Sequence, residues 1–184
     1  MVGVSYTPRD EAPGIHHVTC RGNNKRPIFL TERDGHDFLR RLAGTALKHG
    51  WRIYACCLMP NHYHLVIEID ERGMSKGFCE LNTAYACSFN DRHRRINHLF
   101  GRRYWSGRIE DDESLLGTCR YVLLNPVRGG LVRDPAAWPW SSYRATMGLT
   151  RPDLPLAQEE LLAYFADNPL KAATLFRDFV RDAR

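Results

Sequence analysis

Apolar residues along this chain follow two rhythms. Some stretches alternate or run unbroken over five to eight positions, and others repeat every three to four. Residues 16–20, His-His-Val-Thr-Cys, predict a short strand ending in the turn-rich loop Arg21-Gly22-Asn23-Asn24. Over 34–49, Phe38, Leu39, Leu42, Ala43 and Ala46 share one side of a helix, with Gly50 as its stop. Residues 51–57 predict a second strand. After Met59-Pro60-Asn61, residues 62–69 predict a third, rich in Leu65, Val66, Ile67 and Ile69. Residues 75–91 carry Phe78, Leu81, Tyr85 and Phe89 at helical spacing, and residues 92–109 mix strand and loop signals. Residues 111–124 predict a helix capped by Asp111 or Asp112, with Pro126 limiting its far end.

This order predicts the α+β class, a split β-α-β arrangement: an antiparallel sheet with helices on one face. The pattern changes after Gly148. Residues 150–155 read as a linker, and residues 158–184 as one or two amphipathic helices. We therefore expect a main domain over 1–148 and a helical extension over 149–184, with no role for the extension legible in its residues.

Composition narrows the class. The chain has 184 residues, 43% apolar and 26% charged, which suits one globular domain and argues against disorder, collagen or coiled coil. The longest apolar run, 53–59, falls far short of the ~20 residues that span a bilayer. Residues 1–11 have no apolar core and include Asp10 and Glu11, so no export leader is expected. The six cysteines, at 20, 56, 57, 79, 87 and 119, show no C-x-x-C spacing, and reduced thiols in the cytoplasm are expected. A net charge of +5, carried mostly by arginine, leans toward polyanions.

Three features carry chemistry. First, His62 and His64 are two apart on a predicted strand, so both imidazoles project from one face, about 6–7 Å apart, while Tyr63 points to the other. Such a pair either binds a divalent ion or is two ordinary surface histidines. Second, the apolar stripe of the 111–124 helix is Leu115, Leu116, Cys119, Val122 and Leu123, and Tyr121 lies opposite it among Ser114, Gly117, Thr118 and Asn125. Tyr121 and Asn125, four apart, could address one phosphate and one metal; alternatively Tyr121 packs under the tail and Asn125 caps the helix. Tyr85 and Tyr143 fit packing roles better, and Tyr54 and Tyr104 have no second feature. Third, residues 92–109 hold Arg92, Arg94, Arg95, Arg102, Arg103 and Arg108 with no acid, interleaved with Phe100, Tyr104 and Trp105. That composition suits a single-stranded nucleic acid, or else a solvated basic face.

Six segments, in order over about 13–148, resemble the single-tyrosine HUH transposases of bacterial insertion sequences, most closely the REP-associated tyrosine transposases. They are His17-Val18-Thr19-Cys20-Arg21-Gly22-Asn23, residues 58–66, Phe89-Asn90-Asp91-Arg92-His93, His98-Leu99-Phe100-Gly101-Arg102-Arg103, Arg120-Tyr121-Val122-Leu123-Leu124-Asn125-Pro126-Val127-Arg128, and Trp140-Ser141-Ser142-Tyr143. The resemblance implies a ferredoxin-like fold, Mg²⁺ or Mn²⁺ held by His62, His64 and Asn125, and Tyr121 as nucleophile. It implies a single-stranded DNA hairpin from a repetitive palindromic element as substrate, with Arg21 and Asn23 touching the flank, and a monomer or a dimer as the working state. Gly129-Gly130 departs from the Ala-Gly usual in that family. Two rival functions compete with DNA strand transfer: a non-catalytic hairpin-binding protein, and a metal hydrolase using bound water.

Overall fold

A computed structural model describes residues 11–182 of the chain. The leaderless N-terminus expected over 1–10 and the last two residues of the tail lie outside the described residues.

Four strands form the sheet: β1 (Gly14–Arg21), β2 (Arg52–Met59), β3 (His62–Ile69) and β4 (Trp105–Ile109). Between them run α1 (Glu32–His49) and α2 (Ser75–Arg92). The strand order is β2-β3-β1-β4 with every neighbouring pair antiparallel, which is the split β-α-β topology. Local chemistry sets the boundaries. Thr31 and Asp34 form a capping box at the start of α1, and Gly50 ends the helix in the left-handed region at φ 69°.

Phe38, Leu42, Tyr63, Leu65, Ile67, Phe78 and Tyr85 form the core between one face of the sheet and α1 and α2. The reverse face is covered too, by α3 (Asp112–Arg128) and three shorter helices: α4 (Tyr143–Thr146), α5 (Gln158–Ala163) and α6 (Pro169–Arg181). Here Ala55, Cys57, Met59 and Val66 pack with Leu115, Cys119, Val122, Leu123, Leu161, Phe176 and Val180. The expected α+β fold, with α1 and α2 together on one face and a helical tail, is present, and α3 with the tail adds a second cover on the other face. A strand covered on both sides is apolar throughout, and β2 is buried at every position after Arg52.

One correction concerns α3, which continues through Pro126 to Arg128. A proline in the last turn removes one backbone donor, and the end is closed by the Gly129 N–H donating to the Asn125 carbonyl at 2.8 Å. Its start is as expected, with the Asp111 side chain accepting from the Ser114 N–H at 2.7 Å. The free edge of β2 is covered by residues 138–157. Trp138 Nε1 donates to the Leu58 carbonyl at 2.9 Å, and the Ala157 N–H donates to the Ile53 carbonyl at 2.9 Å.

Candidate active site

The β1–β3 register places Thr19 opposite His64 and Arg21 opposite His62. Opposed residues share a face, so His17, Thr19 and Arg21 project on the same side as the two histidines, toward α3. Tyr121 meets them from α3. Its ring centroid lies 5.7 Å from that of His64 and 6.1 Å from that of His17, both edge-to-face. The His62 and His64 rings are 4.9 Å apart. Tyr121 is 40% exposed, whereas Tyr54, Tyr63, Tyr85, Tyr104 and Tyr143 are at most 7% exposed, so the rival tyrosines of the sequence are core residues.

Each imidazole is held through one nitrogen. His62 Nδ1 lies 2.6 Å from Asn61 Oδ1, and His64 Nδ1 lies 3.0 Å from His17 Nε2. Among the described residues, Nε2 of each ring has no protein partner. Burial, helped by the nearby Arg21 charge, lowers His62 to about 4. Burial, with His62, His17 and Arg21 around it, lowers His64 to about 3. Both rings are therefore neutral at pH 7, each with a lone pair to offer, and their Nδ1 contacts orient them as outer partners orient metal-bound histidines. That donor set fits a divalent ion. Among the described residues there is no group of three or more His, Cys, Asp or Glu side chains able to hold one, so a third ligand from these residues would be of another side-chain type. Asn125 qualifies by chemistry: its amide nitrogen donates to the Tyr121 carbonyl at 3.0 Å, one turn back along α3, and its amide oxygen has no partner among the described residues.

His62, His64 and Tyr121 border a cleft of about 720 Å³ that is also lined by Arg21, Asn23, Lys25, Arg102, Arg103 and Trp105; Asn125 lies outside that lining. The Gly22–Lys25 turn that walls it is tight. A Cβ on Gly22 would sit 2.2 Å from the Arg26 carbonyl oxygen, and Asn24 and Lys25 take left-handed φ of 52° and 59°. Backbone bonds from Gly22 N–H to Asn61 O (2.8 Å) and from Gly101 N–H to Arg21 O (3.1 Å) tie the turn to the histidine strand and to the arginine loop.

Of the eight DNA-contact residues read from the sequence, Arg21, Asn23, Arg102 and Arg103 line this cleft; Arg92, Arg94, Arg95 and Arg108 do not. Arg92 is ion-paired to Asp34 and Asp37 between α1 and α2, a packing role. Arg108 sits opposite His16 in the β1–β4 register, on the other face of the sheet, 3.6 Å from Glu110. Arg94 and Arg95 stand in the turn after α2, with Arg95 over the Phe89 ring at 5.5 Å. Three residues at the site lay outside the candidate set. His17 bonds His64. Trp105, 56% exposed, meets His17 edge-on at 5.5 Å, and the Arg128 guanidinium lies 5.2 Å from the Tyr121 ring centroid. A signal for His17 exists in the alternation His17, Thr19, Arg21 against Val18 and Cys20.

Comparison with known proteins bears on the fold and the family. A protein of Haemophilus influenzae assigned as a REP-associated tyrosine transposase is 24% identical over 141 residues, 71% of this chain and 80% of that protein. A solved structure of a REP-associated tyrosine transposase, bound to a REP hairpin, superposes with a TM-score of 0.67 at 21% identity, over 82% of this chain and 90% of that one. That likeness concerns the fold. The family described as "Transposase IS200 like" matches residues 14–124, more than half the chain, a span that contains His17, His62, His64 and Tyr121 and stops one residue before Asn125. The chain belongs to the IS200-like transposase family.

Proposed function

We propose that the protein is a metal-dependent endonuclease and strand transferase for single-stranded DNA, acting near palindromic hairpins through a 5′-phosphotyrosine intermediate. The observation that carries this reading is the meeting of an exposed phenol with a neutral imidazole pair: Tyr121 lies 5.7 Å, ring to ring, from His64. Core packing does not account for a tyrosine held at that place and left open to solvent.

In the proposed reaction, Tyr121 Oη forms a bond to phosphorus while the P–O3′ bond breaks. The electron pair leaves with O3′, which takes up a proton, and the phenolic proton goes to solvent. The phosphodiester energy is retained in the enzyme–DNA link, so a second 3′-hydroxyl can reverse the step. His62 and His64 would hold the divalent ion, with Asn125 as the third ligand. Bound there, the ion supplies Lewis acidity at a non-bridging phosphate oxygen. Imidazole nitrogens with amide and phosphate oxygens suit Mn²⁺ better than Mg²⁺, which favours all-oxygen shells.

The strand itself is held by the chain. Arg21, Arg102 and Arg103 offer guanidinium groups to successive phosphates, and the exposed Trp105 ring offers a stacking platform for an unpaired base. The hairpin bound by the structural relative supports a hairpin as ligand here, with the Arg21-Gly22-Asn23 turn against its flank. The described part of the extension, residues 149–182, serves in this reading to buttress α3 from behind.

The test is a labelled hairpin oligonucleotide with single-stranded flanks, incubated with Mn²⁺ and run on a denaturing gel. Wild type should yield a shifted covalent species that Tyr121→Phe lacks. A water-based hydrolase would instead cleave without any adduct, and a pure binding protein would leave the oligonucleotide intact.

A further inference from the structure

Arg128 has no part in the reaction just described, yet its guanidinium packs on the ring of the proposed nucleophile. It stands seven positions after Tyr121, two turns along α3, so it shares a face with Tyr121 and Asn125. Its guanidinium carbon lies 5.2 Å from the Tyr121 ring centroid. It is exposed and has no ion pair among the described residues. A cation in the last turn of a helix also suits the helix dipole, but that role requires no contact with a particular ring. Arg92 turns to the carboxylates of Asp34 and Asp37, and Arg95 and Arg120 lie over the Phe89 and Phe179 rings, phenyl groups with no hydroxyl; the ring under Arg128 is a phenol at the histidine pair.

A phosphate approached by Tyr121 Oη has to sit at the outer edge of that ring, within reach of a guanidinium stacked on its face. As the phenolic oxygen bonds to phosphorus, negative charge grows on the non-bridging oxygens. A planar fork of N–H donors fixed beforehand meets that charge with little reorganisation.

We propose that Arg128 is a catalytic residue: its guanidinium, seated on the Tyr121 ring, donates hydrogen bonds to a non-bridging oxygen of the attacked phosphate and keeps the phenol in line with the P–O3′ bond. This rests on Tyr121 being the nucleophile. Arg128 gains and loses no proton in the step; it stabilises charge and direction.

The experiment compares wild type, Arg128→Ala, Arg128→Lys and Tyr121→Phe in single-turnover cleavage of a hairpin substrate with Mn²⁺, at saturating DNA. Hairpin affinity is measured separately by fluorescence anisotropy without metal. Arg128→Ala should slow adduct formation about 100-fold, the usual scale for removing one transition-state donor, while affinity changes less than about threefold because one of several phosphate contacts is lost. Arg128→Lys, a cation without the planar fork, should recover part of the rate. Free guanidinium ion at millimolar concentration should speed Arg128→Ala and leave wild type unchanged. An Arg128→Ala rate within about threefold of wild type overturns the proposal, as does a loss that more DNA restores or that guanidinium does not touch. In those cases an adduct still made by wild type and absent from Tyr121→Phe leaves the nucleophile standing. No adduct from wild type overturns both.

Discussion

At the residue scale, the site rests on which ring nitrogens are occupied. His64 Nδ1 lies 3.0 Å from His17 Nε2, a contact that orients the ring, and Nε2 of His64 has no protein partner among the described residues. Replacing His17 by Ala removes the orienting partner without removing a ligand. We expect Mn²⁺ affinity, measured by electron paramagnetic resonance titration, to fall about 10- to 100-fold, the range found when an outer-shell partner is lost. Unchanged affinity would mean that His17 packs and does nothing more. His62→Ala and His64→Ala should abolish measurable Mn²⁺ binding in the same titration. The sequence showed the His62/His64 pair because a two-residue step on a strand is readable directly. It did not show His17, whose partner is set by the β1–β3 register, a non-local pairing between residues 47 apart.

At the element scale, α1 and α2 are joined by a buried acid–base network. Asp34, with no exposed surface, accepts from Arg92, from His93 at 3.0 Å and from the N–H groups of Leu30 and Thr31 at 2.9 Å. Burial pushes this carboxyl up, but the bonds from His93, the two backbone donors and Arg92 outweigh it, and its pKa falls below the ordinary 3.8. A group lowered on folding contributes stability above its unfolded pKa and loses it as pH falls through the folded one. The network should therefore hold at neutral pH, begin to weaken as pH falls to the ordinary 3.8, and be lost as pH falls through the lower folded pKa. Arg92→Ala should cost about 2 kcal/mol at pH 7, since a buried carboxylate loses a charged donor, and should move the acid-unfolding midpoint upward in a circular-dichroism titration. Equal stability of the two proteins would contradict that assignment. The sequence read Arg92 as one of a basic run because composition cannot tell a cation facing solvent from one folded back onto carboxylates 55 or more positions away.

At the scale of the whole molecule, the sheet is covered twice. The sequence made α1 and α2 legible through their spacing, and the apolar stripe of α3 pointed that helix to the sheet; that it takes the reverse face was not legible, because a strand apolar on both faces shows no alternation to betray its second cover. Residues 154–180 close that side: Leu161, Phe176 and Val180 are fully buried against the elements that carry Tyr121 and the histidines. Phe176→Ala, far from the cleft, should cost about 3–5 kcal/mol in urea unfolding, and a chain ending at 148 should lose the cooperative transition. Tolerance of either change would show that the tail is separable. DNA binding gives a second molecular readout. Four cations line the cleft, Arg21, Lys25, Arg102 and Arg103. At about 0.7 per phosphate on a single strand, the logarithm of affinity should fall with the logarithm of salt at a slope of about 3. A slope near zero would remove this surface as the phosphate track.

The central claim is that one phenol on α3 takes the DNA strand. The most direct test is mass spectrometry of the protein after reaction with a hairpin substrate and Mn²⁺, followed by trypsin and nuclease digestion. Cleavage after Arg120 and Arg128 isolates residues 121–128, which contain Tyr121 as their single tyrosine. The account predicts a 5′-linked nucleotide on that peptide. Its attachment to any other tyrosine, or cleaved DNA with every tyrosine unmodified, would contradict it.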